Sequence, residues 1–212
     1  AFEKLYNKYV KLKGKDRILS EDVVIIFFSG HGISMHNNAF RLVPSNYDQD
    51  ARESSTVDYE ENVLKYLNKM ACHKYLFIDA CHSGASGAKS MDFQDEALSK
   101  VLYRLHSAQK GLITLTSCGH NELSYESDTL ENSYFTATLI EAFSGEAVKL
   151  QDGTSLQCST DADGYLSIRA IHQFIQKRME DITSNRQPQH PQLIKGNEQL
   201  DTDLPLFRTQ KN

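Results

Sequence analysis

Three short runs of almost wholly apolar residues divide the first half of the chain, at positions 23–28, 75–78 and 112–115. β-Branched and aromatic residues dominate these runs, which is typical of strands buried on both faces of a parallel sheet. A shorter run at 40–43 predicts a minor strand in the first crossover. We therefore expect a central sheet built around three parallel strands.

Apolar residues at helical spacing lie between and after these strands. Positions 59, 63, 66, 67 and 70 fall on one helical face, and the stretch 97–105 repeats the pattern. Two further helices are predicted, one around 135–143 that ends at Gly145 and one from about 168 to 182, with residues 168, 171, 175 and 179 near one face. Alternating strands and helices predict an α/β fold in three layers, with a mostly parallel sheet flanked by helices.

The length of 212 residues predicts a single domain, residues 1–212. Residues 1–20 are expected to form a helix and linker, and residues 21–184 the core. Residues 185–212 hold three of the four prolines and predict an irregular C-terminal wrap. The polar stretches 83–92 and 119–132 each follow a predicted strand and are expected to be exposed, mobile loops, with Glu122 as a solvated acid.

Composition and charge narrow the functional classes. The formal net charge of −5 gives no positive field to attract nucleic acid. The four cysteines show no disulfide-framework spacing, so reduced thiols and a cytoplasmic location are predicted. The longest apolar run is too short to span a bilayer. We therefore expect a protein that contacts neither nucleic acid nor membrane.

Two motifs follow the first two predicted strands. Ser29-Gly30-His31-Gly32 follows the first, and Asp79-Ala80-Cys81-His82-Ser83-Gly84 follows the second. The carboxyl ends of parallel strands converge on one crevice, and the glycines around His31 permit a sharp turn and leave backbone N–H groups uncovered. A thiolate needs a neighbouring imidazole to stabilise it and to protonate the leaving amine. We predict Cys81 as nucleophile and His31 as its proton-transfer partner, with the N–H groups of Gly32 and Cys81 as an oxyanion hole.

Other chemistry is less favoured by the same residues. His82 adjoins Cys81, but neighbouring side chains on an extended segment point to opposite sides, so His31 is the preferred base. The Cys-His pairs of the chain match no standard zinc spacing. Residues 161–164 look like part of a calcium loop, but Ser159 and Ala170 stand where two key ligands belong, so a turn is predicted. No metal or cofactor is required, and calcium as an activator has no support in the sequence.

The paired motifs, with the histidine about 50 positions before the cysteine, resemble those of caspase-like cysteine peptidases, closest to metacaspases and their bacterial relatives. Segments 115–118, 122–126 and 134–136 are similar to the region after the nucleophile in bacterial members. The resemblance implies a caspase-like three-layer sandwich and a regulated cysteine endopeptidase, made as a zymogen, that forms a thioester acyl-enzyme. It also implies regulatory domains or subunits, and a first strand and helix before Ala1 that this sequence lacks.

Substrate choice is predicted from Asp79. Caspases that cleave after aspartate have glutamine there, whereas Asp79 and Ser29 resemble metacaspases, which cleave after basic residues. A carboxylate in the pocket repels an acidic side chain and pairs with Arg or Lys. Asp79 as a structural acceptor of backbone N–H groups is the alternative. Because relatives are often matured by cleavage after the nucleophile, Lys89 is a candidate self-processing site.

Two other functions stay open. One is a catalytically idle caspase-like scaffold that binds a partner. The other is a hydrolase or acyltransferase that acts on a non-protein amide.

Overall fold

Strands and helices alternate along most of the computed structural model of this chain. In chain order the strands are β1 (Val23–Ser34), β2 (Phe40–Val43), β3 (Val57–Asp58), β4 (His73–His82), β5 (Leu112–Thr116), β6 (Val148–Lys149), β7 (Ser155–Leu156), β8 (Tyr165–Leu166), β9 (Gln192–Lys195) and β10 (Phe207–Arg208). The helices are α1 (Phe2–Tyr9), α2 (Arg52–Ser55), a π-helix (Glu60–Leu64), α3 (Lys65–Leu67), α4 (Tyr134–Ser144) and α5 (Ile168–Thr183). The structure describes residues 2–10, 17–35, 39–82, 103, 106–107, 109–119, 122, 124–125, 130–183, 188–196 and 200–209, with Ser34, Cys81 and His82 described by their backbone.

A six-stranded sheet in the order β3-β2-β1-β4-β5-β9 forms the centre of the described residues. β1, β4 and β5 run parallel, and β2 returns antiparallel beside the end of β1. The predicted α/β class, the three central strands and the minor strand at 40–43 are confirmed. β1 and β4 extend further than their apolar runs, so residues 29–32 of the first motif and residues 79–82 of the second belong to strands.

The two faces of β4 pack against different layers because its side chains alternate between them. Tyr75 and Phe77 join the core formed with α4 and α5. Leu76, Ile78 and Ala80 join the core formed with the helical segment that begins at Tyr59. Burial on both faces explains why this strand carries a continuous apolar run instead of an alternating one.

The predicted helices are confirmed where the structure describes them. α4 ends at Gly145, which adopts the left-handed conformation with a φ of +68°. The helix predicted over 59–70 contains a π-turn. Four of its five predicted core positions are buried, whereas Tyr66 is only half-buried and Leu64 is buried in addition. Of the predicted 97–105 helix, only Tyr103 lies within the described residues. No helix in the described part of the chain is both long and apolar enough to cross a membrane.

The described part of the tail, predicted to be irregular, contains two short strands between irregular segments. β9 adds to the main sheet antiparallel to β5, and β10 pairs with β8. Pro191 immediately precedes β9, where its missing N–H costs no ladder hydrogen bond. β9 contains only two apolar residues, Leu193 and Ile194, which is too short a run to be recognised as a strand in the sequence.

One margin of β1 carries apolar side chains that no described layer covers. Val23, Ile25 and Phe27 are 44%, 47% and 47% exposed. Along residues 23–30 the edge of β1 away from β4 has no strand partner among the described residues, because β2 pairs only with residues 31–34. This surface consists of the alternate residues of a single strand.

Candidate active site

β1 and β4 bring the two motifs side by side. Their parallel register makes His31 and Cys81 Cα partners, and makes Ser29 and Asp79 partners two residues earlier. Neighbouring strands lie roughly 4.8 Å apart. The backbone therefore places the predicted nucleophile and its predicted partner next to each other, at the carboxyl ends of adjacent strands, with His31 exposed.

The sharp turn that the glycines would permit at His31 does not occur. Residues 29–34 continue β1, with β4 on one side up to Gly32 and β2 on the other from His31 onward. Gly30 has a φ of +156°, a conformation that side-chain-bearing residues rarely adopt. The glycine thus allows the strand to continue past the motif instead of reversing it. Gly32 is buried and is the register partner of His82.

Asp79 is 2% exposed, and its carboxylate accepts hydrogen bonds from three hydroxyl groups. Ser124 Oγ donates to Oδ1 at 3.3 Å, and Ser133 Oγ and Thr136 Oγ1 both donate to Oδ2. A buried carboxylate is costly unless such donors compensate it. The alternative of backbone N–H donors did not anticipate these three side chains. Ser29 lies beside Asp79 in register and is exposed.

The donors to Asp79 are themselves held in place. Ser133 is the N-cap of α4, and its Oγ accepts from the N–H of Thr136 at 2.9 Å. Gln189 Nε2 donates to Ser124 Oγ at 3.2 Å and to the carbonyl of Ser117 at 2.9 Å. Directional hydrogen bonds therefore run from Gln189 through Ser124 to Asp79 and tie the end of β5, the start of α4 and the segment before β9 together.

The expectation that residues 119–132 form an exposed loop is wrong for Gly119 and Ser124, which are buried, and holds for residues 130–132, which are exposed. Ser124 is buried, and Glu122 is not a solvated acid. Glu122 accepts from the N–H groups of Gly119 and His190 at 2.8 Å and 2.7 Å and pairs with His190 Nδ1 at 2.5 Å. Burial tends to raise the pKa of Glu122, but these contacts with His190 and Gly119 lower it overall. The polar composition reflects internal hydrogen bonds rather than solvent contact.

Two of the other cysteines, Cys72 and Cys158, are poor nucleophiles. Cys72 and Cys158 are buried, and burial raises the pKa of both thiols, that of Cys158 to about 11. Cys118 is half-buried, and its Sγ donates to the carbonyl of Glu122 at 3.5 Å. A thiolate is therefore disfavoured at Cys72 and Cys158.

Some predicted residues lie outside the described part of the chain. Lys89 and the loop 83–92 are among them, and the side chains of Cys81 and His82 are too. Within the described residues, no group of three or more His, Cys, Asp and Glu side chains could hold a metal ion. The turn at 161–164 is present, with Gly164 at a φ of +83°, and leads into β8 before α5 begins.

Sequence reasoning missed the residues that surround Asp79. Ser133 and Thr136 carry a recognisable signal, because serine before an apolar helix is a typical N-cap. Ser124 and Gln189 have no recognisable sequence signal, since tertiary contacts alone connect them with Asp79. Cap recognition could have placed Ser133 at the helix start, but not opposite Asp79.

The parallel sheet, its flanking helices and the two adjoining motifs together define a caspase-like α/β sandwich. The family model described as Caspase domain matches residues 2–199. The chain belongs to this family and is a cysteine-type peptidase whose substrates are proteins. No match is found among curated proteins.

Proposed function

We propose that this peptidase is an endopeptidase that cleaves protein substrates after Arg or Lys through a dyad of Cys81 and His31. The observation that carries the proposal is the register of β1 and β4, in which His31 is the partner of Cys81 and Ser29 is the partner of Asp79. The proposed nucleophile, proton-transfer group and specificity carboxylate then all lie at the carboxyl ends of two adjacent strands.

In the proposed reaction, the Cys81 thiolate attacks the scissile carbonyl carbon and forms a tetrahedral oxyanion. Collapse of this intermediate breaks the C–N bond, and the His31 imidazolium gives its proton to the leaving amine. The acyl group remains on Cys81 as a thioester. Neutral His31 then takes a proton from water, whose oxygen attacks the thioester, and the carboxylic acid product and the thiolate are released.

The N–H groups of Gly32 and Cys81 are the proposed oxyanion hole. Gly32 is the residue after His31, and its register partner is the residue after Cys81. Donors fixed in strands before the reaction need no reorganisation as the negative charge develops. Loss of a single oxyanion donor costs other enzymes about 10²–10³ in rate, so the rigidity of this edge matters for turnover.

Asp79 is the proposed basis for the choice of a basic residue. Its carboxylate is buried, so its charge acts in a medium that screens poorly, and an acidic substrate side chain would be repelled. Ser29 lies beside it and can contribute a hydroxyl group. This specificity is the property in which the chain resembles metacaspases more than caspases that cleave after aspartate.

Maturation and regulation are proposed on the family resemblance alone. Lys89 follows the nucleophile by eight positions and is the candidate site of self-cleavage in a zymogen. Control by regulatory domains or subunits and a cytoplasmic location stay predictions. Intact mass of the wild type beside Cys81→Ala tests the processing: a cut after Lys89 in the wild type alone supports it, and identical masses contradict it.

The test of the proposed function is the cleavage of matched peptides that have Arg, Lys, citrulline or Asp before the scissile bond. We expect cleavage of the Arg and Lys peptides, with Cys81→Ala and His31→Ala each reducing kcat/KM by about 10⁴-fold. Faster cleavage after Asp contradicts the basic specificity. An inert wild type whose Cys81 is not labelled by an arginyl electrophile would instead favour the idle scaffold.

A further inference from the structure

We infer that Ser133 and Thr136 are positioning residues for basic specificity: they anchor one oxygen of Asp79, so that the other oxygen faces the substrate cation. The inference rests on the proposed function, because it takes Asp79 as the residue that receives the cation. It assigns a role to the start of α4, which lies more than fifty residues after Asp79 in the sequence.

The two oxygens of the Asp79 carboxylate are bonded unequally. Oδ2 accepts from both Ser133 Oγ and Thr136 Oγ1. Oδ1 accepts from Ser124 Oγ at 3.3 Å. An ionised carboxylate offers about four acceptor sites, two on each oxygen. Both sites on Oδ2 are thus filled, and Oδ1 keeps capacity for a further donor.

The contact at Oδ1 is also the one that a substrate can replace. O–H···O hydrogen bonds usually span about 2.5–3.0 Å, so the 3.3 Å contact from Ser124 is a weak one. Ser124 Oγ accepts from Gln189 Nε2 in addition, so it keeps a partner if a cation takes its place at Oδ1. Displacement therefore leaves Ser124 Oγ with the hydrogen bond that it accepts from Gln189, while its own O–H loses its acceptor.

The anchor at Oδ2 is rigid because α4 is fixed in the core. Phe135 and Leu139 are buried in the cluster that α4 shares with α5 and the sheet. Ser133 is bonded both to Asp79 and, as the helix cap, to the N–H of Thr136. Specificity groups are most effective when supporting residues lock them in one position. Here the helix provides that support.

The test compares Thr136→Val, which removes the hydroxyl group at nearly constant volume, with Thr136→Ser, which keeps it. Thr138→Val is the matched control, because Thr138 lies on the same helix and donates to the carbonyl of Phe135 instead. We expect Thr136→Val to raise KM for the Arg and Lys peptides about tenfold and to leave the citrulline peptide unchanged. Thr136→Ser should restore the wild-type values.

Ser133→Ala against Ser133→Thr provides a second pair with the same expected pattern, and thermal unfolding of every variant is measured in parallel. The rate at which iodoacetamide alkylates Cys81 should be the same in all of them, since the nucleophile is untouched. Loss of Arg and citrulline cleavage by the same factor would indicate a structural role for Thr136 and overturn the inference.

The outcomes separate this inference from the proposed function. A wild type that cleaves citrulline and Arg peptides equally fast contradicts basic specificity, and the inference fails with it. A wild type that prefers Arg, together with a Thr136→Val variant whose Arg-to-citrulline ratio matches that of Thr138→Val, overturns the inference alone.

Discussion

Two buried polar clusters occupy opposite faces of the sheet and satisfy their hydrogen bonds differently. Asp79 accepts from three hydroxyl groups, Ser124, Ser133 and Thr136, on the face covered by α4. On the other face, Tyr59 Oη and His106 Nε2 lie 2.9 Å apart, and His106 Nδ1 has no partner among the described residues. One cluster is built around a carboxylate and the other around a pair with an unsatisfied nitrogen.

The difference shows why an unusual pKa does not by itself identify an active site. Burial lowers the pKa of His106 to about 3 and raises that of Tyr59, so both groups are neutral at pH 7. Neither belongs to the edge where the two motifs meet. Perturbed groups often mark functional sites, but structural burial produces the same perturbation. Here the shifted histidine lies outside the strands that carry the two motifs, and its pKa reflects burial in the core.

The largest expected effect is on catalysis, and it follows from replacing Asp79. Asp79→Asn keeps the volume but removes the charge, and we expect kcat/KM for Arg and Lys peptides to fall about 100-fold because a buried charge pair is lost. The measurement is steady-state cleavage of the matched peptides. Cleavage of the citrulline peptide should change far less. An equal fall in kcat/KM for the Arg and citrulline peptides would contradict a role of the Asp79 charge in recognising a basic side chain.

On the opposite face, Tyr59→Phe should reduce the free energy of unfolding by about 2 kcal/mol, because both ring nitrogens of His106 then lack a described partner. Urea titration measures the loss. Tyr75→Phe is the control, since the buried Tyr75 Oη has no described partner and its removal leaves no other group unpaired. Equal losses in the two variants would show that the Tyr59–His106 bond contributes nothing specific.

Mild acid should lower the free energy of unfolding through the buried His106 on the same face. The unfolded chain protonates His106 near its ordinary pKa of 6.5, whereas the folded protein resists protonation until about pH 3. The stability held by neutral His106 is therefore complete above pH 6.5 and is lost as the pH falls towards 3. Between pH 7 and pH 5.5 the loss should be about 1 kcal/mol.

Urea titrations of the wild type and His106→Gln at the two pH values isolate this contribution. Burial also lowers the pKa of His172, so the wild type should lose stability through that residue as well. The variant keeps the His172 contribution and should lack only that of His106. Identical pH dependence in the two proteins would contradict the assignment.

The smallest effect is expected at the rim of the Asp79 cluster. His190 pairs with Glu122, but its side chain is 56% exposed. Exposed pairs of this kind contribute about 0–1 kcal/mol, so His190→Ala should lower the free energy of unfolding by less than about 1 kcal/mol. Urea titration checks this value. A loss of unfolding free energy as large as that of Tyr59→Phe would mean that the exposed pair of His190 and Glu122 contributes more than exposed pairs usually do.

The sequence patterns predicted those parts of the fold that local periodicity specifies. Continuous apolar runs predicted β1, β4 and β5, because a strand buried on both faces has apolar residues at consecutive positions. Helical spacing predicted α4 and α5, because a helix buried on one face has apolar residues every three or four positions. β9 left no such trace, since four residues at a sheet edge need only half their side chains buried. At the π-turn of Glu60–Leu64, Leu64 is buried although periodicity had not placed it on the helical face.

The site was predictable to the extent that it follows from strand ends. The adjacency of His31 and Cys81 follows from two motifs after two neighbouring parallel strands. The surroundings of Asp79 could not be predicted, because Gln189 and Ser124 meet it through tertiary contacts between segments far apart in sequence. Polar residues in a loop look the same in sequence whether they contact water or one another.

The uncovered margin of β1 has a consequence for handling the protein. Val23, Ile25 and Phe27 form an apolar row beside backbone groups that pair with no described strand. Such a border can template the growth of a sheet from one molecule to the next, as in aggregation through edge strands. Among the described strands, the one that carries His31 therefore offers such a border for association between molecules.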